Sequence, residues 1–220
     1  MINKKIINQI EKEAKRYFKG ASGCHDWTHI ERVRMLALKL GKKEKANLQI
    51  LEVATILHDI SRKQEMKNGG KFCHAEEGAK IAKKILKKYK IDNKSIENIV
   101  HCVLTHRYRN ANIPKTIEAK VLFDADKLDS IGAIGIARAF LFAGSFGSNI
   151  LYTGNEKHLA KSGKDYSYTK EDSSLMEYEF KLKYIKNKLL TKAGKEIGRS
   201  RDQFMKEFFK RFSDEIDGKK

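Results

Sequence analysis

Residues 55–60 read TILHDI, an apolar run that ends in His58 and Asp59 before Ile60 resumes it. Titratable side chains at the end of a segment patterned for burial are costly unless something satisfies them. Both lie where a helix ends, and a carboxylate there meets the negative pole of the dipole and needs a positive partner. A cation beyond the helix end would provide one. His29 and Asp126 are candidates to share it. In THIERVRMLALKL, His29 falls within the stripe of Val33, Leu36, Ala37 and Leu40 and so faces a core. In DADKLD, Asp126 projects with Ala119 and Leu122, whereas Asp124 points almost the opposite way. His74 opens a lysine-rich helix. His106 sits at the edge of the face made by Ile96, Ile99, Val100, Val103 and Leu104, while His101 points away from that face and reads as solvated. Any one of these histidines alone reads equally well as a satisfied core residue. Together His29, His58, Asp59 and Asp126 form a mixed nitrogen–oxygen donor set suited to Mn, Fe, Co, Ni, Zn or Mg, while His74 and His106 stay open. On periodicity alone the core reading and the metal reading both stay open.

Helices must position these groups. One proline in 220 residues and repeated 3.6-residue periodicity argue for an all-α fold. The pattern predicts helices over about 3–18, 28–41, 46–59, 74–90, 95–108, 116–144, 171–189 and 192–216. Thr28 and Glu31 have capping-box spacing, which would start the second helix at Thr28 and put His29 in its first turn. LQILEVATILHDI is apolar nearly all round and reads as a central helix. Gly132 and Gly135 would let another helix approach closely. The polar stretch over about 148–168 is long for a connection and reads as a lid or a partly ordered link. No linker splits the chain, so one domain spanning 1–220 is expected, with the site in a core over about 20–145 and a helical extension over about 165–216.

Composition narrows the function classes. The hydrophobic fraction of 40% beside 34% charged residues is that of a globular chain. No apolar stretch has the length of a membrane span, and MINKKIINQIEKEAKRYF lacks a signal-peptide core, so a cytoplasmic location is expected. Cys24, Cys73 and Cys102 stand singly and suggest neither a disulfide framework nor a zinc knuckle. The net charge of +18 admits nucleic acid, an anionic membrane or a small anionic substrate as partner. Much of that charge reads as the solvated face of amphipathic helices, as in AKIAKKILKKYK. Oligomeric state cannot be read from the sequence.

HDWTHIERV, then HDI, then DADKLD resemble the successive signatures of the HD-domain metal-dependent phosphohydrolases, an all-α helical bundle family. AIGIARAF and the tail from KLLTKAGKEIG onward resemble its small bacterial and archaeal branch. The resemblance implies that His29, His58, Asp59 and Asp126 bind a divalent metal; Asp126 directly precedes a basic residue, Lys127, as the family ligand does. It also implies that His74, in HAEEG, and His106, in THRY, belong either to a second metal or to phosphate binding. Many relatives read HDIGK, whereas this chain reads HDISRK, so Arg62 stands where they carry lysine and would clamp phosphate bidentately.

The implied reaction is hydrolysis of a phosphate ester or pyrophosphate bond, with a nucleotide as the expected substrate, by a metal-activated water. Asp59 would bridge two ions or orient the water. Arg62 and Lys127 would neutralise developing charge, and Arg32 would contact phosphate or pair with a carboxylate. Asp129 would orient a ligand histidine, with His25 and Asp26 at the mouth. The competing readings are a basic nucleic-acid-binding helical protein with a structural or degenerate metal site, supported by charge alone, and a nucleotide sensor without turnover.

Overall fold

The computed structural model describes residues 2–21, 24–107, 112–145, 148, 150–162, 164, 169 and 173–220. They are helical, with no strand among them. They form two compact units, Met1–Asp126 with Leu190–Gly194 and Lys127–Leu189 with Lys195–Lys220.

The first unit holds α1 (Lys4–Phe18), α2 (Trp27–Lys43), α3 (Leu48–Leu57), α4 (Arg62–Lys67), α5 (His74–Lys88), α6 (Asn93–Thr105) and α7 (Ile117–Asp129) as far as Asp126, together with Leu190–Gly194. α3 is its centre, packed by α1, α2 and α6. Its residues from Ile50 to Leu57 are all buried except Glu52, as its all-round apolar sequence requires. Burying a Leu or Ile side chain is worth roughly 1.5–3 kcal/mol, and Ile10, Ile30, Leu40, Leu51, Ile56, Leu57, Leu86, Ile99 and Leu122 are fully enclosed around this helix layer. On α5 the expected solvated stripe is present: Lys80, Lys83, Lys84, Lys87 and Lys88 are exposed, whereas Ala82, Ile85 and Leu86 are buried.

The second unit holds α8 (Gly132–Ser145), α9 (Glu156–Lys161), α10 (Ser174–Phe180), a 3₁₀ segment (Leu182–Lys188) and α11 (Lys192–Ile216) from Lys195 onward. α10 packs on α8 and α9, and Tyr178 stacks on Phe209 with ring centroids 4.2 Å apart. Gly132 has φ +77°, and a Cβ there would lie 3.0 Å from the Arg201 side chain of α11, so the expected close approach of another helix occurs at Gly132; at Gly135 the neighbour is instead the Ser130 carbonyl of the preceding turn, 2.3 Å from where a Cβ would stand.

Three local expectations need correction. α2 starts at Trp27, capped by Asp26 and not Thr28: the Asp26 carboxylate accepts from the amides of Thr28 and His29 and is a better acceptor than the Thr28 hydroxyl. His29 still lies in the first turn. The helix expected over 116–144 breaks at Ser130 and Ile131 into α7 and α8, because Gly132 takes a left-handed conformation that no helix continues through. The segment expected as one helix to 189 is α10 followed by the 3₁₀ turn, the break lying at Lys181. The polar stretch over 148–168 lies partly outside the described residues; within it α9 is helical. Among the described residues no single helix is long and apolar enough to cross a membrane.

Candidate metal centre

The candidate donors come from helix ends of the first unit. His58 caps the C-terminus of α3 and His106 that of α6, and the two ends are built alike. His58 Nδ1 lies 2.7 Å from the Thr55 carbonyl, and His106 Nδ1 lies 2.6 Å from the Val103 carbonyl. Each ring thereby donates to a carbonyl left over at the helix end, which fixes the tautomer and leaves Nε2 as a bare lone pair. His74 is the first residue of α5; its Nδ1 is 2.7 Å from Glu65 Oε2, and Ser61 Oγ holds its carbonyl at 2.7 Å.

Asp59, on the turn after α3, lies between two groups of imidazoles. Its Oδ2 is 3.6 Å from His29 Nε2 and 3.9 Å from His58 Nε2, and its Oδ1 is 3.0 Å from His74 Nε2 and 3.3 Å from His106 Nε2. Asp126 Oδ1, from α7, completes the first group at 3.5 Å from His29 Nε2 and 4.0 Å from His58 Nε2. All six of these residues are buried except Asp126, which is half-buried. His25 joins at the rim, its Nδ1 3.3 Å from Asp59 Oδ2.

Imidazole nitrogens face each other in both groups. His74 Nε2 and His106 Nε2 are 3.1 Å apart; His106 Nδ1 donates to the Val103 carbonyl, and His74 Nδ1 lies 2.7 Å from Glu65 Oε2 and 3.0 Å from Arg107 NH1. His29 Nε2 and His58 Nε2 approach to 3.3 Å in the first group. A cation among the donors would satisfy every one of these nitrogens at once. Donors bonded to one ion at about 2.0–2.2 Å sit about 3–3.5 Å from each other in octahedral or tetrahedral arrangement. The separations in the second group fall in that range and those of the first spread from 3.3 to 4.0 Å; the sets that could hold a divalent ion are His29, His58 and Asp126, then Asp59, His74 and His106, with Asp59 also grouped with His25 and His29.

The electrostatics agree. Burial by itself would raise the Asp59 carboxyl, yet positive charge at the His58 and His74 positions beside it holds it well below the ordinary carboxylate range, so the site favours a cation next to this carboxylate. Burial pushes His106 down to about 4, so the ring stays neutral and able to coordinate at physiological pH.

The residues behind the donors were not all legible in the sequence. Glu65 went unnoticed, yet it is buried, accepts from His74 Nδ1, and pairs with Arg62 and with Arg107 NH1 at 2.6 Å. Burial would raise its carboxyl, but the hydrogen bond from His74 and the two guanidinium charges lower it. Arg62 is buried and turned toward Glu65, His74 and His25. Arg32 donates to Thr28 Oγ1 at 3.0 Å. Lys127 follows Asp126 on α7. Asp129, expected behind a ligand histidine, pairs with Arg138 at 2.5 Å, and Asp26 serves as the cap of α2. His101, read as solvated, is half-buried and accepts the Lys115 amide at 2.9 Å.

A carboxylate behind a ligand histidine sharpens its orientation and basicity, and its removal typically costs 10- to 100-fold in metal affinity. Glu65→Gln is therefore expected to weaken metal binding at the His74–His106 group by about that factor and to spare the other group. Titration of the chelator-treated protein with Mn or Co, resolved into two binding steps, measures this; two unaltered steps would remove Glu65 from the role.

An all-helical chain with a histidine, a His-Asp doublet and a later aspartate gathered at one buried point has the make-up of an HD-superfamily hydrolase. The chain belongs to the HD-domain family, whose family model matches residues 26–131. It is similar to protein YpgQ of Bacillus subtilis, at 30% identity over 201 residues that cover 90% of this chain and 87% of YpgQ. A crystal structure of B. subtilis YpgQ in complex with ADP superposes with a TM-score of 0.74 at 28% identity, covering 98% of this chain and 97% of that one. A crystal structure of an HD-superfamily hydrolase from Bacillus thuringiensis gives a TM-score of 0.71 at 27% identity, covering 97% of both chains.

Proposed function

We propose that the protein is a metal-dependent phosphohydrolase that cleaves a phosphate ester or pyrophosphate bond of a nucleotide with water as nucleophile. The observation that carries this reading is the convergence of His74 Nε2 and His106 Nε2, 3.1 Å apart, on the same Asp59 oxygen, a buried donor set of the kind a divalent cation would satisfy. His29, His58, Asp59 and Asp126 would hold one divalent ion, and Asp59, His74 and His106 a second. The bound ions would supply a hydroxide at neutral pH and Lewis-acid polarisation of a phosphoryl oxygen.

The chain's own residues do the rest. Asp59 is placed to orient the nucleophile, because its two oxygens face the two donor groups separately. Glu65 keeps the His74 ring in the tautomer that presents Nε2 inward. Arg62 sits against the donor shell and, with Lys127 and Arg32, would balance charge on the phosphoryl group; Arg62 must share its guanidinium with Glu65 while doing so. The nucleotide class is supported by the net charge of +18, which favours encounter with anions, and by the ADP held by the B. subtilis relative. Action on a soluble nucleotide fits a cytoplasmic protein.

Chelation followed by add-back tests the reading. Protein treated with EDTA is expected to lose hydrolysis and to regain it with one or more of Mn, Co, Ni, Mg, Zn and Fe(II). Phosphate and pyrophosphate release would be followed across nucleoside mono-, di- and triphosphates. Full-rate hydrolysis by the metal-free protein would overturn the metal role, and no release from any nucleotide with any of these ions would overturn the substrate class.

A further inference from the structure

Glu65 of α4 has more donors around it than its two oxygens need. Arg62 NH1 and His74 Nδ1 both meet Oε2, the latter at 2.7 Å. Arg107 NH1 meets Oε1 at 2.6 Å, and the His74 amide reaches the same oxygen at 3.4 Å. Two guanidinium groups thus share one carboxylate that is only 4% exposed. One positive partner suffices to offset the charge of a buried carboxylate, so the second leaves this trio with a positive charge in excess. That charge is available to an incoming anion.

The two arginines are not equivalent. Were Arg62 drawn away, Glu65 would keep Arg107 and the His74 amide at Oε1 and His74 Nδ1 at Oε2, so each oxygen retains a close partner. Were Arg107 removed, Oε1 would keep only the long contact to the His74 amide, and Arg62 would be the one guanidinium left on the carboxylate. A buried charge deprived of a partner holds the remaining one more tightly. Arg62 also has an edge turned elsewhere. Its NH2 lies 3.4 Å from His25 Nε2, and His25 Nδ1 lies 3.3 Å from Asp59 Oδ2, which brings that edge to the rim of the metal centre. Arg107 follows His106 at the end of α6 and meets Glu65 from the other oxygen, beside His74 Nδ1 at 3.0 Å.

We propose that Arg107 is a positioning residue for Arg62: by engaging the Glu65 carboxylate, it weakens that carboxylate's hold on Arg62, whose guanidinium then serves a phosphoryl oxygen of the substrate. Glu65 is never left without a charged partner during the exchange. The inference rests on the reading of the metal centre as a phosphohydrolase site with Arg62 as a phosphate contact, and it concerns the charge balance behind that contact.

The probe is inorganic phosphate, titrated calorimetrically into the full-length protein at Mn concentrations that saturate both donor groups. Arg107→Gln should weaken phosphate about tenfold, the scale of one charge-assisted hydrogen bond, and leave both Mn binding steps in place. The same substitution should have little effect in two other backgrounds: Glu65→Gln, where no carboxylate competes for Arg62, and Arg62→Gln, where there is no guanidinium to release. Arg107→Lys keeps the charge and should bind phosphate nearly as wild type does. A further loss on adding R107Q to R62Q would show that Arg107 touches the phosphate itself and would overturn the positioning role. Equal phosphate affinity in wild type and R107Q would overturn it, as would a loss that persists in the Glu65→Gln background or disappearance of the Mn step at the His74–His106 group. If R107Q does not fold, E65Q against E65Q/R107Q decides: equal affinities are expected, and a clear gap overturns the proposal. Failure of Mn-loaded wild type to bind phosphate would sink the phosphohydrolase reading and this inference together, whereas a phosphate-binding wild type with an unaffected R107Q would sink this inference alone.

Discussion

Asp59→Asn protein is expected to fold, to purify with no more than traces of divalent metal, and to lose hydrolysis on the order of a thousandfold or more. The substitution keeps the side chain's size and removes its charge at the one position both donor groups share. Asp59 is 4% exposed, and its two oxygens face different pairs of imidazoles, His29 and His58 on one side, His74 and His106 on the other. An amide puts an N–H₂ donor where one of those oxygens stood, aimed at a place built for a cation. Folding should survive because the carboxylate's burial penalty disappears with its charge, and the histidines retain their Nδ1 partners. Asp126→Asn makes the contrast: Asp126 lies with His29 and His58, and not in the group of Asp59, His74 and His106, so its loss should lower metal content at one group and leave the other. Metal analysis of both variants, beside far-UV circular dichroism and nucleotide hydrolysis, separates the cases. Wild-type metal content in Asp59→Asn would refute the shared-ligand arrangement.

Residues whose placement depends on periodicity were legible in the sequence, and those that depend on contacts distant along the chain were not. His29 could be put on a core-facing stripe because α2 repeats its apolar residues over four turns. His58 and Asp59 stood out because they end an unbroken apolar run. Glu65 had neither signal: α4 is six residues long, too short for a period, and it lies within the polar run SRKQEMKN. Its only cue was the i, i+3 spacing to Arg62. The break between α7 and α8 was hidden for the opposite reason, since the apolar pattern continues through it and Gly132 reads equally well as a packing contact or as a left-handed turn. The helix cap at Asp26 was missed because Thr28 and Glu31 satisfy the capping-box spacing, and choosing between a hydroxyl and a carboxylate requires backbone geometry.

The largest effect on stability is expected at Asp124, the aspartate that points away from the metal centre. Asp124→Ala should cost about 3–5 kcal/mol. The carboxylate is fully buried and accepts the Leu190 amide at 2.8 Å, the Thr191 amide at 2.7 Å and the Thr191 hydroxyl at 2.6 Å. It thereby ties the segment Leu190–Gly194 to α7, 66 and 67 residues earlier in the chain. Truncation to alanine leaves those donors without their acceptor in a dry environment, and each unsatisfied group costs about 1–3 kcal/mol. The approach is close as well: a Cβ on Gly194 would meet Asp124 Oδ2 at 2.2 Å, so the glycine is required by the carboxylate's position. Gly194→Ala should therefore destabilise in the same direction, by displacing the carboxylate while leaving its charge in place. Asp124→Asn keeps one carbonyl oxygen and should fall between wild type and alanine. Urea unfolding of the three variants checks the order. Because Asp124 and Asp126 project to different sides of α7, the metal content of whatever folded Asp124→Ala protein is recovered should equal that of wild type, and a loss of metal in proportion to the loss of stability would show that the tie and the site are not separable.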